Sequence, residues 1–191
     1  MILTAGPSIT KKEIDYVTDA VTHGWNSNWN SYIVRLEDAF KEKFNVKHAL
    51  LTSSCTGGMH MGIRSLGVGP GDEVITVPYT WISTAEMIAL VGAKPIFVDI
   101  EESTMNMNAS LLESAITDKT KAIMPVGIYG QTSDMKEICG IAEWHGSIPI
   151  IEDAAQSFGA THHGKKSCAL SEIGSTSFFP VSYTHLRAHE T

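Results

Sequence analysis

The sequence predicts an α/β protein built on a mostly parallel sheet with flanking helices. Short apolar runs alternate with segments of about ten residues that carry helical periodicity, the pattern of consecutive βαβ units. The runs are apolar throughout rather than at every second position, as in strands covered on both faces. One of them, Ile148-Pro149-Ile150-Ile151, ends in Glu152 and Asp153, followed by small residues and then Gln156. In an open α/β sheet, ligands sit outside the carboxyl ends of the strands, so this end is the first candidate for chemistry. A helix cap is the plainer role for Asp153.

The elements follow in order. Thr10-Lys11-Lys12-Glu13 is a capping box that starts a helix, Ile14, Val17 and Val21 give it an apolar face, and Gly24 stops it. Ile33, Leu36, Phe40 and Phe44 recur at helical spacing, which predicts a second helix from Ser31 to Lys43. His48 to Thr52 reads as a strand, Ser53 to Gly58 as a break, and Met59 to Leu66 as a helix. Strands are then expected at Glu73–Val77, Ile96–Ile100, Lys121–Val126 and Ile148–Glu152, with helices at Ile82–Val91, Ala109–Ile116 and Ser133–His145. Turns are signalled by Gly69-Pro70-Gly71 and Gly92-Ala93-Lys94-Pro95. Ile173 to Phe179 reads as one more strand. The eleven residues from Val181 to Thr191 lack the periodicity of a domain and read as a foreign tail.

Composition narrows the function classes. A chain of 191 residues suits one domain with a sizeable core. A net charge of −7 without any basic cluster argues against nucleic acid or an anionic membrane surface as the main partner. No apolar run approaches the ~20 residues of a membrane span, and no signal-peptide pattern opens the chain. Cys55, Cys139 and Cys168 are widely spaced and odd in number, so reduced thiols in a cytoplasm are expected. The His162-His163 doublet has no second ligand pair at metal spacing and reads as a polar loop.

Three features fall where strands should end. Thr56-Gly57-Gly58 offers small residues and a helix N-terminus to an anion, although a plain tight turn reads the same way. Trp81 is an aromatic that a flat ring could stack on, or a core tryptophan. Asp153 could keep a heteroaromatic nitrogen protonated, and Gln156 could donate to a phenolate oxygen. An anion cradle, a stacking ring and a carboxylate, in that order, describe a pyridoxal 5'-phosphate site.

The residues resemble the sugar aminotransferases of the DegT/DnrJ/EryC1/StrS family across nearly all of the chain to Pro180. The resemblance rests on Gly69-Pro70-Gly71-Asp72-Glu73-Val74-Ile75, Gly92-Ala93-Lys94-Pro95-Ile96-Phe97-Val98-Asp99 and Thr120-Lys121-Ala122-Ile123-Met124-Pro125-Val126. Tyr129-Gly130-Gln131, Ile151-Glu152-Asp153-Ala154-Ala155-Gln156 and Ser177-Phe178-Phe179-Pro180 extend it. It implies the large domain of the aspartate aminotransferase fold (fold type I), incomplete at its C-terminus. Residues 1–180 would be N-terminal helices plus part of that domain, and the C-terminal small domain would be absent.

The resemblance also implies roles. Thr56 and Gly57 would bind the cofactor phosphate through backbone amides, Trp81 would stack on the pyridine ring, and Asp153 would pair with its nitrogen. Gln156 would lie near the phenolate oxygen, and Ser177 would help hold the phosphate. The family's Schiff-base lysine falls at position 182, where this chain has Ser182, so the chain as it stands should not transaminate. The substrate class implied is a nucleotide-linked keto sugar, with keto-hexuronates favoured, and glutamate is the implied amino donor. A homodimer is implied, with the loop from Trp25 to Asn30 and the helix from Ser31 to Lys43 as contact candidates. Two other readings stay open: a lysine-less cofactor-binding module, and a pyridoxamine-dependent sugar dehydratase for which His185 is the nearest residue.

Overall fold

The computed structural model describes residues 9–178. Ser182, His185 and the segment read as a tail lie outside them. The chain divides between Leu51 and Thr52 into two compact units.

The first unit is helical. Helix α1 (Lys11–His23) begins as the capping box requires: Lys12 N–H donates to Thr10 Oγ1 and Thr10 N–H donates to Glu13 Oε2 at 2.7 Å. A short 3₁₀ turn (Asn26–Asn28) leads to α2 (Ser31–Phe44), which ends on Asn45 at φ +53°. Trp25 Nε1–H donates to Val21 O, and the Tyr32 hydroxyl donates to Asp19 beneath the Arg35 guanidinium. The predicted apolar face of α1 is present, yet none of its residues is buried: Ile14, Val17 and Val21 all stay exposed.

The second unit holds the sheet. Strands β1 (Glu73–Thr76), β2 (Lys94–Phe97) and β3 (Thr120–Ile123) lie in the order β2-β1-β3, all parallel. Parallel bridges Ile123–Ile150 and Val126–Asp153 bring β4 (Ile151–Asp153) alongside β3. The next strand to pair with β4 runs from Ile173 to Ser175, again in parallel. Between them Thr161–His162 (β5) and Lys165–Lys166 (β6) form a small antiparallel hairpin, which makes Ile173–Ser175 β7. Helices α4 (Ser83–Leu90), α5 (Ala109–Ala115) and α6 (Met135–Trp144) connect β1, β2, β3 and β4 in turn, and α3 (Cys55–Ser65) precedes β1.

The pleat assigns each strand residue to one of two cores. Val74, Ala122 and Ile151 join Met59 and Ile63 of α3 and Met87 and Ile88 of α4 on one face. Their neighbours Ile75, Ile123 and Ile150 join Leu112 of α5 and Met135 and Ile138 of α6 on the other. Both faces are covered, so the unbroken apolar runs are explained. Gly62 lets α3 approach the sheet, since a Cβ there would lie 3.3 Å from Ile173 Cγ2.

Four sequence expectations need correction. His48–Thr52 forms no strand, because no described segment supplies the neighbouring ladder that its backbone would need. Helix α3 starts at Cys55, so Thr56, Gly57 and Gly58 lie inside its first turn rather than in a break before it. The strand read at Ile173–Phe179 stops at Ser175. His162 belongs to β5 rather than to a loop, and only His163, at φ +48°, sits in the turn.

Two consecutive glycines in α3 should respond oppositely to alanine. A Cβ on Gly57 meets only the flexible hydroxyls of Ser53 and Ser54, at 3.3 and 3.5 Å. Gly57→Ala should therefore raise stability by about 0.5 kcal/mol through helix propensity. A Cβ on Gly58 would sit 2.6 Å from Ser175 Oγ, which is held by its bond to Cys55 O. Gly58→Ala should cost about 1–3 kcal/mol by overpacking. Urea midpoints of the two variants, measured side by side, check the opposite signs.

Candidate functional site

The site begins with the pleat of β4. Ile151 faces α3 and α4, so Asp153, two residues on, faces them too, and Glu152 between them faces away. Both carboxylates are buried, Glu152 at 2% and Asp153 at 4% exposure, and burial pushes both above the usual carboxylate range. Their surroundings differ.

Glu152 is satisfied within the protein. Ser167 Oγ donates to Oε1 at 2.8 Å and Leu170 N–H donates to Oε2 at 3.3 Å, while Ser157 and Ser167 hydroxyls share a 2.7 Å bond. This network pins the 157–170 segment, with its hairpin, beneath β4.

Asp153 is held from the other side. Thr84 Oγ1 of α4 donates to Oδ2 at 2.9 Å, and Ala155 N–H donates to Oδ1 at 3.1 Å. The thiol of Cys55, first residue of α3, lies 3.8 Å from Oδ1 and 3.2 Å from Ser175 Oγ at the end of β7. Burial and the Asp153 charge push that thiol up to about 12, so it stays protonated and acts as a weak donor. Among the described residues no lysine, arginine or histidine pairs with Asp153. A buried carboxylate with only neutral donors lacks the cation that would offset its desolvation.

The predicted residues fall around this carboxylate. Thr56 and Gly57 follow Cys55 directly in the first turn of α3. Gly57 N–H is already engaged by Ser54 Oγ at 3.1 Å, whereas Thr56 N–H has no acceptor among the described residues. Trp81 precedes α4 and is 73% exposed, too open for a core tryptophan. Gln156 lies in the turn after β4, and its carbonyl accepts from Gly130 N–H at 2.8 Å. Ser177, half-buried, follows β7 by two residues. The thiol contact from Cys55 to Asp153 thus brings the α3 turn to the end of β4, and Ala154 N–H, donating to Ser175 O at 2.8 Å, brings the end of β7 there as well.

Sequence reasoning missed Cys55, Thr84 and Ser175. The only local signals were Cys55 next to the small-residue turn and Thr80 and Thr84 one helical turn apart. It also missed the aromatic rim, where the hydroxyls of Tyr79, after β1, and Tyr129, beyond β3, meet at 2.6 Å. Tyr129 holds φ +52°, a backbone conformation that a bulky residue adopts only where its surroundings impose it. An open cavity of about 470 Å³ lined by Glu101, Thr104, Gln131, Asp134 and His162 contains none of the predicted residues. Among the described residues no group of metal-ligating side chains gathers, and no helix is long and apolar enough to cross a membrane.

Comparison with known proteins bears on this geometry. The chain is 50% identical over 148 residues to the UDP-2-acetamido-2-deoxy-3-oxo-D-glucuronate aminotransferase of Pseudomonas aeruginosa, covering 78% of this chain and 41% of that protein. It is 42% identical over 178 residues to the GDP-perosamine synthase of Caulobacter vibrioides, covering 93% and 48% respectively. The chain therefore spans about half the length of the curated relatives it matches. A sugar aminotransferase structure from Streptococcus pneumoniae, solved in a PLP-form, superposes with a TM-score of 0.85 at 32% identity, covering 94% of this chain and 49% of that one. The fold is thus that of the PLP aminotransferases of fold type I. The model of the DegT/DnrJ/EryC1/StrS aminotransferase family matches residues 7–184, and the chain belongs to that family.

Proposed function

We propose that the protein to which this chain belongs transfers an amino group to a nucleotide-linked keto sugar, using pyridoxal 5'-phosphate, the cofactor of its family. The observation that carries this reading is Asp153: a buried carboxylate at a strand end, supported by neutral donors and lacking a cation. A protonated pyridine nitrogen is the partner whose charge and hydrogen suit it. When bound, the cofactor supplies an electron sink for charge that develops at the substrate carbon.

The chain's residues would hold and orient it. Thr56 N–H donates to the phosphate at the positive end of α3, and Gly57 N–H joins it when the Ser54 hydroxyl rotates aside. Ser177 would add a hydroxyl to the phosphate. Trp81 covers one ring face, Gln156 donates its amide to the phenolate oxygen, and Asp153 keeps the ring nitrogen protonated. Serine at position 182 offers no amine to bond the cofactor or move the substrate's alpha proton, so this chain alone would bind without transaminating.

A UDP-linked keto-hexuronate is the proposed acceptor, because the Pseudomonas relative at 50% identity carries that substrate in its name. Glutamate is the proposed donor. A second copy of the chain is the proposed partner, supported by the uncovered apolar residues of α1 together with exposed Trp25 and Trp29. Three unbridged cysteines support a cytoplasmic location.

A protein that carries this chain within the full length of its relatives tests the activity. Incubated with glutamate, cofactor and a UDP-keto-hexuronate, it should yield the amino sugar and 2-oxoglutarate by mass spectrometry. No product from this acceptor or from a GDP-keto-deoxyhexose would sink the reading. In the present chain, Asp153→Asn should weaken cofactor binding by about tenfold or more, read by fluorescence titration, because it removes the charge that meets the ring nitrogen.

The buried pair also predicts a pH dependence. Glu152 has a folded-state pKa above its unfolded one, so its contribution is intact below the unfolded pKa and is lost as pH rises through the folded one. Glu152→Gln keeps the shape: its oxygen can accept from the loop N–H groups while its amide donates to Ser167. Urea midpoints at pH 5 and pH 8 should fall less with rising pH in the variant than in the wild type. An identical fall would mean that Glu152 does not titrate in this window.

A further inference from the structure

The Asp153 carboxylate can be counted oxygen by oxygen. An ionised carboxylate offers about four acceptor sites, two on each oxygen. Oδ1 accepts from Ala155 N–H at 3.1 Å and faces the Cys55 thiol at 3.8 Å, so both its sites are directed at protein. Among the described residues Oδ2 accepts from Thr84 Oγ1 alone, at 2.9 Å, which leaves one site open. Thr84 has a single hydroxyl hydrogen, and an ionised carboxylate can only accept, so that hydrogen is committed to Oδ2. The 3.2 Å contact between Thr80 and Thr84 hydroxyls must then run from Thr80 to Thr84. Thr80 adjoins Trp81, and Thr84 N–H donates to Trp81 O at 3.2 Å. One side chain therefore ties the loop bearing the aromatic to the oxygen with the open site.

We infer that Thr84 is a positioning residue: it aims the open site of Asp153 Oδ2 at the cofactor's ring nitrogen and, through Thr80, sets Trp81 in register with it. This rests on the reading of the site given above, and reaches beyond it to a residue that touches neither the cofactor nor the substrate. Alanine or valine at position 84 would leave Oδ2 with no donor among the described residues, and the carboxylate held through Oδ1 only, about a soft terminal torsion. The ring nitrogen would then meet a carboxylate that is less well aimed, and its protonated form would be held less firmly.

The other groups facing Asp153 are named by the same geometry. Cys55 lies on α3, Cys168 on the segment before β7, and Glu152 is adjacent in sequence on the opposite face of the sheet. Both thiols are pushed up to about 12, so neither changes charge between pH 5 and 9. A change in the titration of the bound ring caused by altering Thr84 is therefore not a relayed thiol titration.

Pyridoxamine 5'-phosphate labelled with ¹⁵N at the ring is the probe, because its amine cannot condense with surface lysines. The full chain, Thr84→Val and Thr84→Ser are titrated with it by tryptophan fluorescence, and the bound ring nitrogen is followed by NMR from pH 5 to 9. Thr84→Val should weaken binding about tenfold, the size of one hydrogen bond to a charged group. It should also lower the pKa of the bound ring nitrogen by about one unit, a readout that a simple loss of stability in the free protein would not produce. Thr84→Ser, which keeps the hydroxyl, should restore both readouts. A residue that served only packing would instead be rescued by valine and not by serine. If Thr84→Val does not fold, Thr84→Cys, a weaker donor, takes its place with the same expectations. Wild-type affinity and an unchanged ring titration in the valine variant would overturn the role of Thr84 alone. Failure of the wild-type chain to bind the probe would overturn the cofactor reading and this inference together.

Discussion

The structure turns on one constraint: strand β4 is covered on both faces and ends in two carboxylates. The pleat forces Glu152 and Asp153 to opposite sides, so both cannot share one solution to the cost of burial. Glu152 is closed off by Ser167, Leu170 and the segment they belong to, which turns a charged side chain into a clamp for the loop after the strand. Asp153 is closed on one oxygen and open on the other. A pair of adjacent, equally buried acids thus divides into a structural one and a receptive one, and the division is visible in the donors each has gathered.

The turns around Asp153 pack closely through their backbones. Gly127, where a Cβ would strike Ser157 Oγ at 2.3 Å, allows the chain beyond β3 to pass close to the turn after β4. Gly127 N–H donates to Asp153 O and Gly130 N–H to Gln156 O, so the two turns are stitched by backbone bonds rather than by side chains that would fill the site. The left-handed backbone of Tyr129 aims its ring toward Tyr79, and the bonded hydroxyls fix the spacing of the loops after neighbouring strands. Strain of this kind persists where the surroundings over-determine it, and here it sits at the rim of the candidate site.

Much of this was legible in the sequence because it is local. The capping box of α1, the apolar runs of β1, β3 and β4 and the helix intervals between them are written in consecutive residues. The parallel sense followed from helices long enough to cross over. The strand read at His48–Thr52 failed because a strand is a property of a pair, and its apolar character says nothing about what lies beside it. The hairpin at Thr161–Lys166 was hidden because two-residue strands carry no period. Asp153 was located at a strand end, where β4 does end, by the apolar run before it. Thr84 was not, since a threonine in an apolar helix looks the same whether its hydroxyl caps a carbonyl or holds a carboxylate 69 residues away.

The proposed separation between binding and chemistry follows from where these residues sit. The carboxylate, its three supports and the amides of α3 all precede position 178 and are held by the two cores of the sheet. On the proposed reading, the family's amine for covalent chemistry falls at position 182, where this chain has Ser182. Nothing in the geometry around Asp153 depends on that amine: the donors to its oxygens come from Thr84, Ala155 and Cys55. A buried carboxylate with neutral donors and no cation among the described residues is the feature on which the proposed cofactor site rests. On the proposed reading, holding the cofactor falls to the α/β framework, and turning it over would need an amine that Ser182 does not offer.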